Sequence, residues 1–176
     1  LIDYGNTLGE KTESAIILGM PEDSRNRHFE SLRFGIDNDA KTVRMFQAML
    51  LVGTEMASKA TRKKYELKSK FRTIPGCLGV YDILGSKHSV AEIEEIIVES
   101  NTLSKKDYIE CRTMNLLVTT FYNNSIFEEI FVMLRSMGVS SFDCLVYIKE
   151  HPELYSEKIK KIISDFVFET TEDLYD

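Results

Sequence analysis

A chain of 176 residues that is 43% hydrophobic and 28% charged is long enough for one ordinary soluble domain, or for a small domain with an appendage. Its formal net charge of -6 leaves no basic excess to neutralise phosphates, which excludes a general nucleic-acid binder. No apolar run approaches the roughly 20 residues of a membrane span, and the three widely spaced cysteines, Cys77, Cys111 and Cys144, read as free thiols of a reducing, cytoplasmic compartment. No secretory signal is recognised, and the opening "LIDYGN", without an initiating methionine, reads as the middle of a longer polypeptide.

Ser14 to Leu18 is an apolar run of strand length, closed by Gly19 and Pro21. Ser24 is a good N-cap, and Phe29, Leu32, Phe34 and Ile36 give an apolar face to a helix ending near residues 37–39. Thr42 to Leu51 follows as a second strand, and its nearly continuous apolar content predicts burial on both faces, as in a parallel sheet. Strand, helix and strand together make a βαβ unit.

Thr54 is the expected N-cap of a charged surface helix, "EMASKATRKKYELKSK", while Phe71 to Tyr81, with Pro75 and two glycines, reads as irregular or edge-strand structure. From Ser89 onward the chain reads as a helical bundle. Capping boxes at Ser89 with Glu92 and at Ser125 with Glu128, and a similar pattern at Ser104 with Asp107, mark three helix starts. Ile93, Ile96 and Ile97 would face the core from the first helix. Tyr108, Cys111, Leu116, Leu117 and Phe121 would do so from the second, and Ile126, Phe127, Ile130, Phe131, Met133, Leu134 and Met137 from a third that Gly138 ends. A fourth helix covers about Ser141 to Glu150, and Pro152 fits the first turn of a fifth.

Local catalytic motifs are wanting. His28, His88 and His151 are expected on a polar helix surface, in a loop and beside a proline, and none sits in a nucleophile motif. The glutamates of "EIEEIIVE" and "FEEIF" read as solvated helix faces, and the stripe Phe127, Phe131, Met133 and Met137 reads as core packing. The remaining candidates are the loops "GMPEDS" and "LVGTE". Ligands of parallel α/β sheets bind beyond the carboxyl ends of strands, and glycines there let backbone approach a ligand.

These loops carry a resemblance. "IILGMPEDS" resembles the fifth-strand motif of the radical SAM superfamily, Gly-aliphatic-Pro-Gly-Glu-Thr, and "FQAMLLVGTEMA" resembles its sixth-strand segment, which ends in Pro-Gly-Thr-Glu-Leu. "TRKKYELKSKFRTIPGCLGVYDI" and "EEIIVESNTLSKKDYIECRTMNLLVTTFYNNSIFEEI" are similar to the region after the barrel in radical SAM enzymes with an N-terminal cobalamin-binding domain. The resemblance implies an α/β fold followed by α-helical structure: residues 1–85 would be the C-terminal portion of a partial (β/α) barrel and 86–176 a helical domain. It further implies a parent enzyme that holds a [4Fe-4S] cluster, S-adenosylmethionine and cobalamin. Such an enzyme cleaves S-adenosylmethionine reductively to a 5'-deoxyadenosyl radical for methyl transfer or oxidative chemistry.

By the same resemblance, part of the S-adenosylmethionine site falls on Ile17, which would lie against the adenine, on Gly19, and on the main chain of Met49, Leu50 and Leu51. The departures are plain: Cys-x3-Cys-x2-Cys and Asp-x-His-x2-Gly are absent, and Glu22 and Val52 stand where the family commonly has Gly and Pro. The chain alone is therefore expected to bind no cluster, to be inactive, and to have the missing N-terminal barrel and cobalamin domain as its natural partner. Exposed strand edges would favour a homo-oligomer. The competing expectation is a non-catalytic helical module that binds a protein partner.

Overall fold

The computed structural model of the chain describes residues 2–9, 12–172 and 174–175. After a short helix α1 (Ile2–Thr7), strand β1 (Glu13–Leu18), helix α2 (Arg25–Asp37) and strand β2 (Thr42–Gln47) form the expected βαβ unit. β1 and β2 are parallel, with Ile17 opposite Phe46 and Leu18 opposite Gln47. Ser24 caps α2, its side chain accepting from the Arg27 N–H. His28, Leu32, Gly35 and Ile36 form the buried stripe of α2, one turn apart on one face. Phe34 lies off that stripe and is 67% exposed, so it is not part of the core face.

Among the described residues, helices cover the parallel pair on one side only. Val43 is buried, whereas Ile17 and Phe46, neighbours across the strands, are half exposed on the opposite face. β2 is thus not buried on both faces, and it is shorter than the sequence suggests. Beyond Gln47 the chain swings to a new partner: the Leu50 N–H donates to the Glu95 carbonyl at 2.8 Å, and the Ile97 N–H to the Ala48 carbonyl at 2.9 Å.

Thr54 accepts from the Ala57 N–H within a turn and does not start a helix; Ser58 caps the short α3 (Lys59–Tyr65) instead. A long antiparallel hairpin follows, β3 (Lys68–Ile83) and β4 (Ser86–Glu99). Its second strand overturns the helix expected from Ser89. Ile96 and Ile97 point to opposite faces of β4, and both are fully buried, in separate clusters. The first strand is regular except near Pro75: between Thr73 opposite Ile93 and Leu78 opposite Ala91 the register shifts, and Gly76 takes φ +78° there.

Ser104 caps α4 (Lys105–Leu117) as the pattern predicts, its hydroxyl accepting from the Asp107 N–H. The helix runs on into a π-helical turn, Val118–Tyr122. Ser125 is in the left-handed region at φ +53° and caps nothing with its side chain; α5 (Glu128–Ser136) starts after Phe127, without a side-chain cap. Gly138 ends that helix at φ +74°. α6 (Ser141–Glu150) follows, capped by Ser140, then a 3-10 turn Pro152–Leu154 and α7 (Glu157–Glu172). Pro152 therefore opens that 3-10 turn rather than the last helix.

The largest apolar cluster joins Leu32, Ile36 and Val43 of the βαβ unit to Met114, Phe131, Phe142 and Leu145 of the helices. The helical region thus packs directly on the βαβ unit, and the 85/86 position lies in the turn of the hairpin. Met133 and Met137 are more than half exposed, so the Phe–Met stripe is core only at Phe131 and partly at Phe127. His28 is buried, 1% exposed, and donates from Nε2 to the Asn115 Oδ1 at 2.8 Å; His88 lies within β4. Neither matches its expected setting.

Candidate functional site

The loop "GMPEDS" is built as a closed ring. Gly19 sits at φ +91°, and a side chain there would meet the Ile97 carbonyl at 3.4 Å. The Asp23 carboxylate then accepts from the Gly19 N–H at 3.0 Å and from the Ser24 N–H at 2.8 Å. Glu22 is held at φ +68°, and its carbonyl accepts from Arg27 Nη1 at 2.8 Å. A non-glycine residue in this region costs about 1 kcal/mol or more, so neighbours must fix it.

The loop lines an open depression of about 670 Å³ with Ser24, Arg27, Lys64, Tyr65, Asn101 and Thr102. Thr102 Oγ1 donates to the Asp23 carbonyl at 2.6 Å, tying the loop after β4 to the loop after β1.

The residues singled out from the sequence are brought together only in part. Ile17 and Gly19 flank Leu18, whose carbonyl accepts from the Ala48 N–H at 2.8 Å, so they lie beside Met49 at the ends of adjacent strands. Ile17 is 48% exposed and Met49 40% exposed, and both are accessible. Leu50 differs: its N–H is taken by Glu95, and its side chain is 3% exposed in a cluster with Ala48, Leu67 and Ile97. Leu51 is exposed beyond it.

A second depression, of about 330 Å³, lies at the carboxyl end of β2 where α4 and α7 meet the hairpin. Gln47, Arg72, Tyr108, Arg112, Phe166 and Glu169 are among its walls. Sequence reasoning passed over both arginines. The signal in the sequence is Arg112 beside Cys111 and one helical turn after Tyr108, on the face expected to be core.

Among the described residues no group of three or more His, Cys, Asp or Glu is arranged to hold a metal ion. The cysteines are free, and burial pushes the Cys111 thiol up to about 12, which makes it inert at neutral pH. Among the described residues no three thiols are brought together, so these residues do not fit an iron–sulfur cluster. Nor is any described single helix long and apolar enough to cross a membrane.

Fold and site together define a mixed α/β protein with two small sheets and candidate loops at the ends of a parallel strand pair. No protein-family model matches the chain, and no curated protein matches it significantly.

Proposed function

We propose that the chain is the C-terminal part of a cobalamin-binding radical SAM enzyme, in which Ile17 and Gly19 form one wall of the adenosine site. The observation that carries this reading is the backbone of Glu22. The family motif has glycine at that position, and the chain there is left-handed at φ +68°, the conformation for which glycine is the natural choice. A backbone that suits glycine at the position where the motif carries glycine supports the reading.

The sheet edges support the same reading. Among the described residues β1 has a strand neighbour on one edge only, the side of β2. The far edge of β2 is closed: Asn123 Oδ1 accepts from the Val43 N–H at 2.9 Å, its Nδ2 donates to the Val43 carbonyl at 2.8 Å, and β4 takes the positions beyond Gln47. A partial barrel that stops at its sixth strand has these two edges. The bare face with Ile17 and Phe46 then corresponds to the barrel interior, which the missing strands would enclose.

The cluster and cobalamin lie outside this reading of the chain's own residues, since the sequence holds neither motif. The reaction of the parent, methyl transfer or oxidative chemistry, belongs to the absent half. The coding sequence upstream of Leu1 tests the proposal. It is expected to encode Cys-x3-Cys-x2-Cys on the order of 100 residues before Leu1, the scale of one domain. A reading frame that begins at or just before Leu1 would overturn it.

A second reading, a helical interaction module, rests on α5 and its C-cap, where Ile130, Val132, Met133 and Met137 are all about half exposed or more. Strong binding of an apolar dye that is lost in Ile130→Ser/Met133→Ser favours it.

A further inference from the structure

Arginine side chains in this protein are partnered by carboxylates wherever they are drawn into the surface. Arg25 pairs with Glu110 at 2.6 Å, Arg62 with Glu95 at 2.5 Å and Arg135 with Asp39 at 3.2 Å, and Arg72 pairs with Glu94. Arg112 breaks the pattern. It projects from the middle of α4 into the depression at the end of β2, and its Nε is buried with no hydrogen-bond partner. Among the described residues no carboxylate stands within ion-pair distance and no acceptor takes its Nε proton; its neighbours are the ring of Phe166, with the guanidinium carbon 5.3 Å from the ring centroid, and the Tyr108 side chain, which favours its charge.

An uncompensated guanidinium withdrawn from water is costly, because it gives up hydration without gaining an ion pair. The surroundings make the imbalance greater. Arg72 lies across the same depression and repels Arg112, while each of its three nitrogens already has a partner, Glu94 or the Gln47 side-chain carbonyl. The Gln47 amide in turn donates to the Tyr108 hydroxyl. Those bonds fix the walls and leave Arg112 alone with donors to spare. Glu169 of α7 also lines the depression but stands outside ion-pair range.

The depression has about 330 Å³ of space, the lower end of the range for small-ligand sites, and combines an aromatic face with fixed polar groups. It opens at the carboxyl end of a parallel strand, where α/β folds place their ligands. We propose that this depression binds a small molecule bearing an oxyanion, a carboxylate or a phosphate monoester, and that the guanidinium of Arg112 receives the anionic group. Planar paired donors suit both chemistries. Phe166 would cover the guanidinium from the other side, and Tyr108 and Gln47 would border the remainder of the ligand. The proposal does not depend on the identity of the parent enzyme.

The test uses the 176-residue chain, titrated with inorganic phosphate and separately with acetate, each against chloride at equal ionic strength, by calorimetry and by the NMR resonance of the Arg112 Nε–H. Saturable binding of phosphate, acetate or both is expected, with that resonance moving along the binding curve, and the responding probe identifies the anion class. Arg112→Gln should keep or raise its melting temperature in chloride, since the unpaired charge is removed, and lose affinity at least about tenfold, the worth of one charge-assisted hydrogen bond. Glu169→Gln should bind tighter. Phosphate stabilises many proteins by exclusion from their surface, so a thermal response that Arg112→Gln retains in full counts against the site. Absence of saturable binding of both probes, or an Arg112 Nε–H resonance that does not follow the titration, would overturn the proposal even where the Arg112→Gln chain fails to fold.

Discussion

Arg62 and Glu95 are locked by two parallel bonds, Nη1 to Oε1 at 2.5 Å and Nη2 to Oε2 at 2.8 Å, which fasten α3 to β4. Ser69 Oγ donates to the same carboxylate, and the Arg62 Nε–H donates to the Ala57 carbonyl at 3.0 Å. The side chain of Glu95 is only 15% exposed, so this pair is sheltered where most surface pairs are not.

Glu95→Gln should therefore destabilise the fold by about 1–2 kcal/mol at neutral pH, the range of charge-assisted hydrogen bonds in partly buried sites. The hydrogen bond from Arg62 holds the Glu95 carboxyl below the ordinary glutamate value of 4.5. The unfolded chain thus takes up this proton first as the pH drops. The pair's contribution is complete above 4.5 and lost as the pH falls through the lower, folded value. Urea unfolding of the two proteins across this window should show the difference between them shrink in acid.

His28 predicts a slope of different origin. Burial is the largest influence on its imidazole and lowers its pKa from 6.5, against the bond to Asn115, which raises it. The folded state accordingly holds the neutral ring, while the unfolded chain binds a proton below 6.5. Stability should be full above that pH and decline below it until the folded value is reached. His28→Gln, whose amide can still donate to Asn115, should flatten this decline in melting temperature measured from neutral to mildly acidic buffer.

The βα loop gives opposite outcomes at two neighbouring positions. Glu22→Gly should stabilise by about 0.5 kcal/mol, since the relief of a left-handed backbone exceeds the added entropy of the unfolded chain. The retained bond from Arg27 is to the main chain and survives the change. Gly19→Ala should cost about 1–3 kcal/mol, because φ +91° strains any side-chain-bearing residue, although the new methyl itself would meet the Ile97 carbonyl only at ordinary contact distance. Chemical denaturation of both variants checks the pair, and equal signs would refute this account of the loop.

Asn123 stands in for a strand by pairing with both polar groups of Val43. Asn123→Ala should cost about 1–3 kcal/mol for two backbone groups left without partners. Asn123→Asp should keep the acceptor and lose the donor, and fall between. Amide exchange at Val43 should quicken markedly in the alanine variant and modestly in the aspartate.

The sequence was readable where local chemistry and tertiary demand agree. Ser24 and Ser104 cap the helices they announce, and Gly138 ends α5. It misled where one pattern serves two structures. "SVAEIEEIIVES" offers a capping box and isoleucines at helical spacing, yet a strand that buries both faces produces the same adjacent pair, Ile96 and Ile97. Partners distant in the chain, Arg62 and Arg72, decide between them by claiming Glu95 and Glu94. The same limit applies to the sites. Gly19 and Pro21 announce a loop, but the isolation of Arg112 is visible only once the described carboxylates around it have been placed.

The two-sided burial of β4 also sets how energies combine. Ile96 belongs with Leu18, Leu103 and Tyr108, and Ile97 with Ala48, Leu50 and Leu67. Truncations at these adjacent positions should act nearly independently, while Ile97 and Leu50, remote in sequence, should be thermodynamically coupled. Along this strand chain proximity is a poor guide to epistasis, and substitutions are better grouped by the parity of their residue number than by their nearness.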